Sequence, residues 1–416
     1  MNLLRQPPLA LYVHFPWCVQ KCPYCDFNSY TLHGELPTDT YIDALIADLD
    51  AQTRAVAGRP LVSAFFGGGT PSLFSPAAIA RLIEAIGARF ALAPDLELTL
   101  EANPGTIERG RFAEYRAAGV SRVSLGAQSF AAAKLTALGR IHGPDDTRRA
   151  AEELHAAGLD NFNLDLMYGL PEQSVAEALA DIDAALALQP QHISHYQLTL
   201  EPGTVFAAAP PVVPSEESID AMLAACQPRL AAARFERYEV SAYATPGREC
   251  AHNLNYWQFG DYLGVGAGAH GKLTDTEHGV IRRTQQPRDP RRYLRAGPAG
   301  LVSNEVAVVQ LPFEFMLNAL RCVDGFEAAL FTARTGLPFA AIEPTLEKLR
   351  SRGLLARDPS TSRGANWRAT EHGFRFLNEV LLDFLPSGDS MAASANVPDR
   401  PAAARLSTAV GALRRE

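Results

Sequence analysis

Short β-branched and aromatic runs recur through the first half of the chain: LALYVHF (9–15), LVSAFFG (61–67), LELTLEA (96–102), RVSLGAQ (122–128), NFNLDLMYG (161–169) and HISHYQLTL (192–200). Between them lie segments such as YIDALIADLDAQTRA and AAIARLIEAIGARFA, whose apolar residues fall near helical spacing. Strand–helix alternation over this length predicts parallel β/α units. Six of them predict an α/β fold, an incomplete parallel (β/α)6 barrel with its site at the C-terminal ends of the strands.

Residues with chemical potential gather at those ends. Cys18, Cys22 and Cys25 follow the first run, Gly67 to Gly69 end or follow the second, Glu101 closes the third, Gln128 ends the fourth, and Asp165 lies within the fifth. Polar capping of buried strands accounts for one or two such placements and poorly for all of them.

Past about residue 300 the pattern changes. EFMLNALRCVDG, FEAALFTARTG, AIEPTLEKLRSRGLLARD and NWRATEHGFRFLNEVLLDFL read as helices, a small β-wing and a further helix. The expected organisation is a barrel unit over 1–300, a helical, winged-helix-like unit over 301–385, and a disordered tail over 386–416, where Pro, Ala, Ser and Gly dominate. A wing raises DNA binding as an alternative, but Lys and Arg do not cluster on the recognition-helix position, and the formal charge of the chain is −8. No nucleic-acid partner is therefore expected.

Hydrophobic residues at 47% and charged residues at 20% are ordinary for a globular protein. The N-terminus MNLLRQPPLALYVHFP has too short an apolar run for a signal peptide, and no run of eighteen apolar residues suggests a transmembrane segment. Three clustered cysteines and three scattered ones (Cys226, Cys250 and Cys322) make a poor disulfide framework. They fit a reducing cytoplasm in which thiolates are free to hold metal.

The stretch CVQKCPYCDF offers three thiolates in eight residues. Structural zinc, with His14 or a distant residue as the fourth ligand, is the simpler alternative, but zinc sites usually pair two short ligand clusters and no second cluster is present. A [4Fe–4S] cube held by three thiolates leaves one iron open for a chelating ligand, such as the amine and carboxylate of a methionyl group.

Cys18-x3-Cys22-x2-Cys25, with Tyr24 before the third cysteine, resembles the signature of radical SAM proteins. FFGGGTPS (65–72), LEANPGT, VSLGAQSF, LGRIH and DLMYGLPEQ extend the resemblance to the HemN/HemW family. The resemblance implies a [4Fe–4S] cluster on Cys18, Cys22 and Cys25, with S-adenosyl-L-methionine (SAM) at the open iron. An electron passed to the sulfonium of SAM would give methionine and a 5′-deoxyadenosyl radical. It further implies SAM contacts at Tyr12, Tyr24, Gly68, Gly69, Thr70, Glu101, Gln128, Arg140, Asp165 and, near LEPGT, Thr199. On chemical grounds Arg140 suits the methionyl carboxylate. Glu101 suits the amino group or a ribose hydroxyl, and Gln128 and Asp165 suit hydrogen bonds from the ribose.

Within that family the chain departs from the coproporphyrinogen oxidase pattern. Phe27 stands where the oxidases carry a fourth cysteine, and only eleven residues precede Tyr12, where they carry a long extension. AHNLNYW (251–257) resembles a mark of the haem-chaperone branch. The resemblance thus implies haem as a ligand, delivered to haem-accepting proteins, respiratory enzymes among them, with an electron donor needed if SAM is cleaved. The alternative is an oxygen-independent coproporphyrinogen III oxidase of porphyrin biosynthesis. His252 could offer an imidazole nitrogen to iron while Tyr256 and Trp257 pack on a porphyrin face, and His270 in DYLGVGAGAHG is a further haem candidate. A core histidine beside a buried aromatic pair accounts for the same residues.

Overall fold

The computed structural model describes residues 3–105, 110–361 and 364–386. The tail expected to be disordered lies, from residue 387 on, outside the described residues.

Six parallel strands form the centre of the fold: β1 (Leu9–Phe15), β2 (Leu61–Gly68), β3 (Leu92–Ala102), β4 (Arg122–Gln128), β5 (Phe162–Tyr168) and β6 (His192–Gln197), hydrogen-bonded in chain order. β1 and β4 are buried along their whole length, as strands covered on both faces must be. Helices such as Thr38–Gln52, Pro76–Gly87, Pro144–Ala156 and Val175–Ala187 connect successive strands. Their inward residues, Ile42, Leu45, Leu49, Ile79, Leu82, Leu154 and Ile182, join the strand residues in one core. The incomplete barrel expected from strand–helix alternation is the observed architecture.

The sheet continues beyond those six strands on both sides. β7 (Glu236–Arg237) and β8 (Ala242–Ala244) extend it antiparallel beyond β6. On the other edge β9 (Asp261–Val265) runs parallel to β1, and β10 (His270–Asp275), β11 (Val280–Gln285) and β12 (Val302–Glu305) follow as an antiparallel meander.

Helices Leu311–Ala319, Ala328–Thr335 and Glu343–Ser351 then pack with a three-stranded wing of β13 (Phe326–Glu327), β14 (Leu355–Thr361) and β15 (Gly364–Ala369). Their core gathers Phe315, Phe331, Leu346 and Trp367, and takes in Leu4, Phe259 and Ile281 from the barrel side. The C-terminal helices are thus anchored on the sheet extension. Among the described residues no helix is long and apolar enough to cross a membrane.

Candidate functional site

The loop after β1 is closed at its base. Trp17–Cys18 pairs with Tyr30–Thr31, and the Leu32 amide donates to the Cys18 carbonyl at 2.8 Å. Inside it the Lys21 ammonium donates to the Phe27 and Ser29 carbonyls, both at 3.0 Å, and the Cys25 amide closes a turn on the Cys22 carbonyl. These bonds hold three unpaired thiols, all partly buried, along one cleft. The cleft has an empty volume of about 980 Å³ counted out into the solvent at its open mouth.

Tyr24, Gly68, Gly69, Thr70, Glu101, Gln128, Arg140 and Asp165 line the same cleft. Their positions follow from the strand ends. Gly68 ends β2 at φ +113°, and a side chain there would run into the His14 ring; glycine is required by the protein's own packing. The Gly68 amide donates to Glu101 Oε2 at 3.0 Å, and the Gly69 amide donates to the Phe15 carbonyl at 2.6 Å. Burial, and secondarily Asp165, push the Glu101 carboxyl up to about 8. Asp165 is raised by burial too, against hydrogen bonds from Asn163 and from Ser124.

Arg140 donates to the Gly126 carbonyl at 2.7 Å, to Asn103 Oδ1 at 2.5 Å and to Cys22 Sγ at 3.7 Å. Its charge therefore lies against the Cys22 sulfur as well as the cleft. Burial pushes the Cys18 thiol up to about 11, so loading a metal there must release a proton.

The residues fit an iron–sulfur cube. Cys18, Cys22 and Cys25 are soft donors from one loop facing an open cleft, as three-cysteine ligation requires. Among the described residues, no three His, Cys, Asp or Glu side chains lie close enough to hold one metal ion. His14 is not poised as a fourth ligand. Its Nδ1 meets the Tyr12 hydroxyl and its Nε2 the Asn28 carbonyl, each at 2.9 Å, and burial pushes it down to about 4.

Two expected SAM contacts lie elsewhere. Tyr12 sits in the middle of β1, buried, its ring stacked on Phe65. Thr199 follows β6, exposed, and donates to Glu201 at 3.0 Å. Conversely, Asn103, Ser124, His142 and Tyr196 line the cleft without having been singled out. Asn103 and His142 fall inside the LEANPGT and LGRIH stretches, which is the signal that could have found them.

The AHNLNYW segment forms helix Ala251–Trp257 on the barrel side. His252 is buried and stacks on Phe65; its Nδ1 meets Ser63 Oγ and its Nε2 the Tyr256 hydroxyl, each at 3.0 Å. Neither nitrogen is open to iron in this arrangement, because both are bonded within the packing. Tyr256 and Trp257 do line a small open hollow, together with Phe259, Gly260, Tyr262, Lys272, Arg283 and Asn318. His270 begins β10 opposite Gln285 and lines neither cavity.

A sequence model of the radical SAM superfamily matches residues 12–185, and one of the HemN C-terminal domain matches residues 309–376. The chain is 48% identical over 383 residues to the haem chaperone HemW of Escherichia coli K12, covering 92% of this chain and all of that protein. The chain belongs to the HemN/HemW family of radical SAM proteins. The HemW of Haemophilus influenzae is 44% identical, over 92% of this chain and 99% of its own length. The mouse mitochondrial radical S-adenosyl methionine domain-containing protein 1 is 40% identical, over 93% of this chain and 91% of its own. The solved structure of the radical SAM enzyme coproporphyrinogen III oxidase (HemN) from Escherichia coli superposes with a TM-score of 0.75 over 92% of both chains, at 21% identity. That match shows a shared fold. Membership of a radical SAM family implies a [4Fe–4S] cluster and SAM.

Proposed function

We propose that this protein binds haem alongside a [4Fe–4S] cluster and SAM, and delivers the haem to acceptor proteins. The observation that carries the cofactor part is the cleft in which three thiols of one loop meet partly buried carboxylates and an arginine. Relatives named haem chaperone and matched over their whole length support the haem part.

In this reading Cys18, Cys22 and Cys25 hold the cluster, and Arg140, beside Cys22 Sγ, supports thiolate charge there. A cluster held by these thiolates would supply one-electron chemistry toward a bound sulfonium. Glu101, held to the Gly68 amide, presents a carboxyl that an incoming ammonium would ionise. Tyr256 and Trp257 offer the haem-facing aromatic surface, and His252 orients Tyr256 from beneath. Residues 1–300 supply the cofactor unit, and 301–385 a unit that packs on its sheet extension and reaches the Tyr256–Trp257 hollow through Asn318.

The competing reading is an oxygen-independent coproporphyrinogen III oxidase. Phe27, exposed on the cysteine loop where the oxidases carry a further cysteine, weighs against it. The two are separated by loading the protein anaerobically, titrating haem, and assaying coproporphyrinogen III with SAM and a reductant. Tight haem binding without turnover is expected. Efficient formation of protoporphyrinogen would overturn the chaperone reading.

A further inference from the structure

Gln128 is held in its place at a cost. It is the last residue of β4 and adopts φ +68°, a left-handed conformation that residues other than glycine rarely occupy. The ladder to β5 steps from Leu125–Leu164 to Gln128–Leu166, so an extra residue bulges from β4 immediately before it. Such bulges re-aim a side chain. Here they turn Gln128, 6% exposed, into the wall of the cysteine-lined cleft.

The side chain is then fixed from one side. The Tyr196 hydroxyl, from β6, donates to Gln128 Oε1 at 2.7 Å. The amide nitrogen of Gln128 lies over Gly126, where a Cβ would sit 3.2 Å from Nε2, and Gly126 is itself part of the cleft wall. Burial raises the Tyr196 hydroxyl well above its ordinary range, so it stays protonated and keeps its hydrogen to give. With Oε1 facing Tyr196, Nε2 lies on the Gly126 side, which is cleft wall, so the NH2 is the half of the amide left for a ligand there.

We propose that Tyr196 is a positioning residue which locks the Gln128 amide so that it donates to SAM, making Gln128 a sensor of an acceptor atom on the nucleoside and not an acceptor of the ribose hydroxyl hydrogens. This reverses the polarity expected from the residue type alone, since a glutamine can serve either way. It rests on the reading that SAM occupies the cleft.

The test uses full-length, cluster-loaded protein, with SAM affinity measured by equilibrium dialysis and by the change SAM causes in the reduced cluster's paramagnetic resonance spectrum. Tyr196→Phe, which removes only the hydroxyl, is expected to weaken SAM binding roughly three- to tenfold, with iron and sulfide content unchanged. Gln128→Met should weaken it at least as much. The double variant should match Gln128→Met alone, because Tyr196 acts only through Gln128. Gln128→Glu keeps an acceptor for Tyr196; measured above about pH 9, beyond the value of about 8 to which burial lifts Glu101 in the same cleft, it is ionised and has no hydrogen for the ligand, so it should weaken binding as Gln128→Met does. Additive losses in the double variant, unchanged affinity in Tyr196→Phe, or parental affinity in Gln128→Glu would each overturn the proposal. If the loaded parent protein bound no SAM at all, the reading beneath the proposal would fail, and the proposal with it.

Discussion

Glu101 Oε2 accepts the amide hydrogen of Gly68 at 3.0 Å, joining the end of β3 to the glycine turn after β2 at the floor of the cleft. The bond favours the ionised carboxylate, but burial wins, with Asp165 adding to it, and the group is pushed up from 4.5 to about 8. Between those values the folded protein holds a proton that the unfolded chain has released. Stability contributed by Glu101 is therefore complete below about pH 4.5, falls as pH rises toward about 8, and is level above that. Glu101→Gln removes this dependence. Scanning calorimetry of cluster-free protein should show the variant gaining on the parent as pH rises through that window; a constant difference would contradict the assignment.

The turn partner of that bond gives a second expectation. Gly68 combines φ +113° with a Cβ direction blocked by the His14 ring, which is itself pinned at both nitrogens. Gly68→Ala meets strain and a clash that cannot relax by rotating one flexible side chain. A loss of about 1–3 kcal/mol in urea unfolding is expected, together with poorer cluster retention, since His14 also braces Asn28 in the cysteine loop.

The central strands were legible because strands buried on both faces leave compact apolar runs; Leu9–Phe15 and Arg122–Gln128 coincide with the runs that predicted them. The sheet extension was not. Gly264, Gly266 and Gly268 interrupt the apolar run of DYLGVGAGAHG, so its pattern does not announce β9, a buried strand in which the His270 backbone leaves no room for a side chain at Gly264. At the site, motif order identified most cleft residues but not their depth. Tyr12 stops short of the strand end, Thr199 overshoots it, and Tyr196 betrays itself only through the hydroxyl that meets Gln128.

The cluster assignment makes a sharp compositional prediction. Cys22 shares its loop with Cys18 and Cys25, while Cys226 lies in the barrel core among apolar neighbours. Cys22→Ser should lose most bound iron and sulfide after anaerobic loading, whereas Cys226→Ala should keep them. Loading should also release protons, since burial raises the Cys18 and Cys25 thiols above their ordinary values; it should accordingly proceed further at higher pH. Iron analysis against acid-labile sulfide checks each point, and full iron content in Cys22→Ser would refute the assignment.

His252 separates a ligand role from a packing role. Its ring is buried between Ser63 and Tyr256, stacks on Phe65 at a centroid distance of 5.1 Å, and is pushed by burial down to about 3, so it remains neutral at physiological pH. Removing it leaves a cavity against Phe65 and strips a hydrogen-bond partner from Ser63 and Tyr256. His252→Ala should therefore cost about 2 kcal/mol or more in stability. The haem spectrum should stay unchanged, because the iron would not have been bound through this nitrogen. Tyr256→Phe, by contrast, keeps the aromatic surface and removes only the hydroxyl, so it should bind haem normally at a smaller stability cost. Denaturant midpoints and the haem absorption maximum decide between the roles: a displaced maximum in His252→Ala, with folding intact, would make His252 an iron ligand and require its ring to leave Ser63 or Tyr256 on haem binding.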